Sequence, residues 1–278
     1  MDVYEAVATR VTAFISTLPK ISLFIFMLSL VHGMGEPTTV FHFTNLLLVS
    51  SLLSLIIGTV VGLVQIRIKR LLAFSSISHV GFMLLALAAS SQESIQAFLF
   101  YLMQYSLTNI NIFFIIIAIG YTIAHQANLN LMDKKLSPIQ LISQLNGYFY
   151  VNPLLAISLA IAMCSLIGVP PLIGFVGKQL ILSAALSEGY YFLVLVGILT
   201  SVVGAVYYLH IIKVLFFNKP SNQAQGQIDT NISLSNSYLS SSLSITISAL
   251  TLVILLFMLS PQEWLSMANV LALIVFNP

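Results

Sequence analysis

Seven apolar runs separated by short polar joints leave this chain few folds to choose from. They lie at residues 11–31, 43–66, 71–89, 95–124, 154–186, 191–217 and 243–259. Each approaches or exceeds the roughly 20 residues that carry a helix across a hydrocarbon core. Backbone amides in lipid have no water to bond, so a run of this length satisfies them internally as a helix. The charged fraction agrees: 6% of the 278 residues, where a soluble domain carries about 25%. The expected fold is all-α, a polytopic transmembrane helix bundle of about seven helices in one membrane domain over 1–278.

Eight basic residues orient it. Arg10 precedes the first run, Arg67, Lys69 and Arg70 part the second from the third, Lys134 and Lys135 the fourth from the fifth, and Lys213 and Lys219 lie near the link between the sixth and seventh. If the crossings alternate, all eight fall on one side, while the opposite joints carry Glu36, Glu93, Glu188 and Glu263 and no lysine or arginine. Basic loops stay on the side from which a membrane protein inserts, which predicts an inward N-terminus and an outward C-terminus. The partition also tests the span count, because merging or splitting any run would scatter the basic joints over both faces. No basic segment with a short apolar stretch and a cleavage site opens the sequence, so insertion is expected to be led by the spans. Residues 218–242, rich in Ser, Asn and Gln, read as a solvated connection. Beyond Pro261, Trp264 is expected at an interface, and the apolar tail at 263–276 along the membrane surface or against a neighbour.

Two basic residues break the pattern. Lys20 and Lys178 fall near the middle of their runs. An ammonium ion in hydrocarbon is costly unless it faces protein or water, so such a charge marks an ion or proton route. The alternative is a snorkelling lysine whose head reaches the interface. Lys20 follows Pro19, which removes a backbone donor and favours a kink with carbonyl oxygens beside the ammonium, although a kink can also serve packing alone. Lys178 ends the stretch Gly168-Val-Pro-Pro-Leu-Ile-Gly-Phe-Val-Gly-Lys178, inside a run of 33 residues. That run is too long for one plain crossing, and two half-helices are expected. Unwound backbone at membrane depth is tolerated where it lines a cavity or is buried in protein, and it points to a transporter site.

Other polar residues in the spans admit two readings each. His79, in Ser75-Ser-Ile-Ser-His79, either holds water between helices as part of a relay or hydrogen-bonds to a neighbouring helix. His210 and Lys213 are three residues apart and share a face directed toward the basic side, where Lys213 either relays or snorkels. Tyr207 and Tyr208 either extend a hydrogen-bonded path or anchor the interface. Gln104, Ser106, Thr108, Asn109 and Asn111 make the fourth span unusually polar and are expected to face protein. Cys164, the one cysteine, lies mid-run, which excludes a disulfide framework or a cysteine metal site. There is no CxxC, HExxH, Walker A or GxGxxG sequence, so no nucleotide, iron–sulfur or haem site is encoded by a recognisable motif. Any redox chemistry this protein serves happens elsewhere.

Three ordered motifs carry a family resemblance: Asp2-Val-Tyr-Glu5 followed by Val11-Thr-Ala-Phe14 and Lys20; Ile68-Lys-Arg-Leu-Leu-Ala-Phe-Ser-Ser-Ile-Ser-His79; and the stretch ending in Lys178. The chain resembles the NADH dehydrogenase subunit 2 family, the N-type antiporter-like subunits in the membrane arm of respiratory complex I. The resemblance covers the whole chain and about the second half of the family's length. It departs at Met1, Ala6, Ala8 and Arg10, where the family commonly has Pro, Gly, Pro and Pro. It implies one antiporter-like five-helix repeat with a broken helix, plus flanking helices, and makes Lys20 the lysine that bridges the two repeats and Lys178 the lysine of the second broken helix.

The resemblance further implies a proton-translocating part of NADH:ubiquinone oxidoreductase in the mitochondrial inner membrane, N-terminus in the matrix and C-terminus in the intermembrane space. The proton relay candidates are then Lys20, Lys178, His79, His210 and Lys213. NADH, FMN, iron–sulfur clusters and ubiquinone would belong to other subunits, with no cofactor bound by this chain. The implied partners are other membrane-arm subunits, lipid and no nucleic acid. A split gene, with a separate polypeptide supplying the first half, is expected, because the polar inward faces of one repeat would otherwise meet lipid. The rival functions are a stand-alone cation/proton antiporter, a half-subunit retained for packing, and a retinal-type protein with Lys178 as Schiff-base lysine. The last puts its N-terminus outside and its lysine in the final helix, against the charge bias here.

Overall fold

The computed structural model describes residues 4, 7–33, 43–126, 139–218 and 241–276, and among the described residues proline, glycine and polar joints part nine helices of 15 residues or more. They are α1 (Thr9–Gly33), α2 (Phe43–Leu63), α3 (Ile68–Ala89), α4 (Gln92–Gln126), α5 (Pro153–Ile167), α6 (Ile173–Ser187), α7 (Tyr191–Phe217), α8 (Ser241–Leu256) and α9 (Pro261–Phe276), with single 3-10 turns at Ile142–Leu145, Tyr148–Tyr150 and Phe257–Leu259. The fold is the all-α, polytopic one read from the sequence. Six helices, α1 to α4, α7 and α8 with its 3-10 extension, are long and apolar enough to cross a membrane. The joints at 34–42, 127–138 and 219–240, with Glu36, Lys134, Lys135 and Lys219, lie outside the described residues.

The third and fourth spans form the centre: 78% of the core stretch of α3 is buried, against 22% for α1. The outer helices turn apolar side chains such as Leu23, Phe26, Val49, Leu195 and Val202 outward, which lipid solvates as readily as protein does. α2 and α3 approach closely because small residues meet between them. A Cβ added at Gly58 would stand 2.5 Å from the Ser78 amide nitrogen, and one at Gly81 would stand 2.6 Å from Ser54 Oγ. Gly58→Val is therefore expected to force the pair apart and cost about 1–3 kcal/mol by overpacking. Thermal unfolding of the solubilised protein checks this, and an unchanged midpoint would count against so tight a contact.

Backbone contacts gather the basic residues at one end of the bundle. Lys69, buried in the first turn of α3, donates to Val7 O at 2.9 Å, and Arg67 forms an isolated antiparallel bridge with Leu141. Ile68 N bonds Gln140 O, Gly147 N bonds Val214 O one residue past Lys213, and Asn218 Nδ2 donates to Asn146 Oδ1 at 3.1 Å. The Arg10 guanidinium lies 5.3 Å from the centre of the Tyr121 ring near the end of α4. At the other end Gln96 Nε2 donates to Leu265 O, joining the start of α4 to α9. The tail forms α9, which packs on α4 and buries Ala268 and Ala272, and its Trp264 ring sits 6.5 Å from Phe257. Small residues at i and i+4 let α9 lie close against α4.

Candidate functional site: the broken helix and its buried polar line

The break follows from local chemistry. Asn152 caps α5 by accepting from Leu155 N, Pro153 occupies the first turn, and Gly168 ends the helix with a left-handed φ of 89°. Helical donors for Leu166 O and Ile167 O would come from residues 170 and 171, and both are prolines without an N–H. Those two carbonyls are taken by Lys178, whose Nζ donates to Leu166 O at 2.9 Å and to Ile167 O at 2.8 Å. The ammonium thus sits at the carbonyl end of a helix, where the peptide dipoles favour a cation, and 5.6 Å from the centre of the Phe82 ring. With 15 residues each, α5 and α6 rise only about 22 Å at 1.5 Å per residue, so neither crosses alone.

Glycines let α6 fold back against its neighbours. A Cβ at Gly174 would overlap the Ser165 carbonyl, and one at Gly177 would stand 3.0 Å from Tyr101 Cδ2 and 3.3 Å from Gln104 Cγ. Lys178 is therefore held where α5, α6 and α4 converge.

His79 and three tyrosines lie between it and Lys20, hydrogen-bonded at some joints and in ring or packing contact at the others. The Lys20 ammonium, one residue after Pro19 inside α1, donates to Tyr105 Oη at 3.3 Å. The Tyr105 ring lies 5.0 Å from the imidazole of His79, tilted by 35°. His79 is buried, with Nδ1 2.6 Å from Tyr101 Oη and Nε2 3.1 Å from Tyr208 Oη. Tyr101 in turn rests on Gly177, beside Lys178. Of the relay residues named from sequence, Lys20, His79 and Lys178 are brought together through tyrosines.

His210 and Lys213 are not among them. Both are exposed on α7, while Tyr207, Tyr208, Ile211 and Val214 of the same helix face inward. Sharing a face with each other, as their spacing required, placed them together on the outer one. Lys213 stands at the basic end of the bundle, next to the Gly147–Val214 contact.

The polar stretch of α4 faces protein, as expected. Gln104, Thr108, Asn109 and Asn111 are buried, and Asn109 Nδ2 donates to Ser16 Oγ of α1 at 3.2 Å. Ser106 is only half-buried and bonds its own helix at Met103 O. Gln104 Oε1, both amide atoms of Asn111 and Ser165 Oγ are buried with no hydrogen-bond partner among the described residues. Sequence reasoning missed Tyr101 and Tyr105. Their signal was present, two phenols four residues apart on a span already rich in amides and hydroxyls.

A model of the NADH:quinone oxidoreductase/Mrp antiporter transmembrane family matches residues 1–204, a stretch holding Lys20, His79 and Lys178. The chain belongs to that family. Within it, the NADH-ubiquinone oxidoreductase chain 2 of Rhizopus oryzae is 49% identical over 290 residues, covering 99% of this chain and 54% of that protein. The NADH-quinone oxidoreductase subunit N of Paramagnetospirillum magneticum is 33% identical over 275 residues, covering 99% of this chain and 51% of the relative. A chain of the respiratory complex I of Thermus thermophilus superposes with a TM-score of 0.72 at 27% identity, over 95% of this chain and 52% of that one. The resemblance carried by the three motifs is thus to the right family, and the chain spans about half the length of these relatives.

Proposed function

We propose that this chain is a proton-translocating part of the membrane arm of an NADH:ubiquinone oxidoreductase, corresponding to the second half of its subunit 2. The observation that carries the reading is the Lys178 ammonium seated on two carbonyls that the paired prolines leave without donors, packed beside the His79–tyrosine cluster that Lys20 reaches through Tyr105. A lysine so placed is stabilised by the half-helix end only while charged, so it can hold a proton at membrane depth and give it up when a neighbouring charge changes. Coupled sites of this kind titrate as a set. Water supplies the links that side chains do not. The unpartnered atoms of Gln104, Asn111 and Ser165 are groups that ordered water ordinarily satisfies in native proteins, at a cost of about 1–3 kcal/mol each if it does not.

In this reading Lys20 passes protons between this repeat and the half of the family fold that the chain does not span. His79 bridges Lys20 and Lys178, and His210 with Lys213, at the basic end, communicates with solvent. The Rhizopus relative, an NADH-ubiquinone oxidoreductase chain, supports a mitochondrial inner-membrane setting, and the one-sided basic residues of the sequence favour a basic end in the matrix and a C-terminus toward the intermembrane space. Other membrane-arm subunits are the partners, and NADH, FMN, iron–sulfur clusters and ubiquinone are handled by other subunits.

The test uses the native assembly, purified, its chains identified by mass spectrometry, and reconstituted in vesicles. Lys20→Met keeps the side-chain length and removes the ammonium. A detour around that position adding about 1.4 kcal/mol to the barrier slows transfer tenfold, so NADH-driven acidification is expected to fall by about tenfold or more in a complex of unchanged composition. Normal acidification by the variant, or cation/proton exchange by this chain isolated from any redox partner, would overturn the assignment.

A further inference from the structure

His79 has a hydroxyl on each ring nitrogen, and that arrangement has only two neutral states. A neutral imidazole carries one N–H and one bare nitrogen. With Tyr101 Oη 2.6 Å from Nδ1 and Tyr208 Oη 3.1 Å from Nε2, either Nδ1–H donates to Tyr101 while Tyr208 donates to Nε2, or Tyr101 donates to Nδ1 while Nε2–H donates to Tyr208. One phenol always donates and the other always accepts. All three side chains are buried, so neither nitrogen can exchange its partner for bulk water. Tyr101 is further confined: its ring lies 6.1 Å from that of Phe82, and no Cβ fits between it and residue 177 without closing to 3.0 Å.

We infer that Tyr101 and Tyr208 form a two-position hydroxyl switch around His79, and that Tyr101, seated on Gly177, lets the broken helix bearing Lys178 set which imidazole nitrogen holds the proton. This deepens the proposed proton route and rests on it. In one passage Tyr101 gives its hydroxyl proton to Nδ1 and takes another from the Lys178 side, while Nε2–H gives its proton to Tyr208, whose own proton moves onward. One N–H bond forms and one breaks, one proton has crossed, and His79 is left neutral in the other tautomer. A second proton cannot follow in the same direction until the ring proton has returned from Nδ1 to Nε2 and both hydroxyls have turned back. Tyr101 and Tyr208 each carry the proton on their own side of the ring. A displacement of α6 against Tyr101 changes whether Nδ1 has a partner, which ties the reset to the position of Lys178.

Isotope-edited infrared spectroscopy of the purified assembly, with His79→Gln subtracted to isolate this ring, reads the imidazole band that distinguishes the Nδ1–H from the Nε2–H tautomer. A buried N–H is costly without an acceptor, so the ring proton moves to the nitrogen that keeps its phenol. Tyr101→Phe is expected to give the Nε2–H tautomer and Tyr208→Phe the Nδ1–H tautomer, in opposite directions. Gly177→Ala, which pushes the Tyr101 ring away, is expected to give the same band as Tyr101→Phe. Loss of packing alone would not produce opposite tautomers from two equivalent deletions of oxygen. If either phenylalanine variant does not assemble, the other together with Gly177→Ala decides the matter. The same tautomer in both phenylalanine variants, or the reverse of the expected pair, overturns the switch. Opposite tautomers together with acidification indifferent to Lys20→Met would retire the proposed route and leave the switch standing; one and the same tautomer in both phenylalanine variants with Lys20-dependent acidification would retire the switch alone.

Discussion

Lys178→Met is expected to reduce NADH-driven proton translocation by about a hundredfold, the lower end of what a positioned proton-transfer group contributes. The substitution keeps a flexible chain of similar reach but has no proton to hold. It also strips Leu166 O and Ile167 O of the donors they now share, and no backbone N–H can replace them, because residues 170 and 171 are prolines. Each unpaired buried carbonyl costs about 1–3 kcal/mol, so lower activity by itself would not separate a relay from a structural pin. Lys178→Arg separates them. A guanidinium still donates to both carbonyls but does not release its proton in a protein, so this variant should assemble with near-parent thermal stability and fail to pump. Vesicle acidification measured beside the unfolding temperature reads both properties. Full pumping with normal coupling in Lys178→Arg would remove Lys178 from the route, leaving it as the cap of a broken helix.

The second large effect concerns the break itself. Gly174→Ala is expected to destabilise the protein by at least about 3 kcal/mol, the upper end for overpacking, because the added Cβ would overlap the Ser165 backbone carbonyl rather than a side chain that could move aside. Relief requires parting α6 from the last turn of α5, which pulls Lys178 from Leu166 O and Ile167 O at the same time. Loss of the assembled complex from membranes, or a markedly lower unfolding temperature after purification, is the expected observation. A variant as abundant and as stable as the parent would show that α5 and α6 do not meet at Gly174.

How much of this could be read beforehand varies by residue. The paired prolines with Gly168 forced a break, and the run length required one, so the two half-helices and the singular position of Lys178 were legible. Lys20 was legible for the same reason, as a charge far from either end of its span. His79 was visible only as an ambiguity, since a histidine beside serines has the same local pattern whether it serves a relay or a neighbouring helix. That the face His210 and Lys213 share is the exposed one of α7 was not legible. Nearly every residue of α7 is apolar, so its sequence lacks the contrast that tells an inward face from an outward one.

Hydrocarbon length, backbone hydrogen bonding and the missing N–H groups of proline act within one segment, and for that reason the sequence by itself determined the all-α class, the long apolar helices, the break and the two lysines inside apolar runs. Which groups meet across helices depends on the height, rotation and crossing of elements distant in the chain. Lys20 finding Tyr105 85 positions away, and His79 finding Tyr208 129 positions away, were therefore decided by tertiary packing, as was the placement of α9 against α4. Lipid and protein interior solvate apolar faces about equally well, so only small residues at close approaches and the pairing of buried polar atoms select one arrangement.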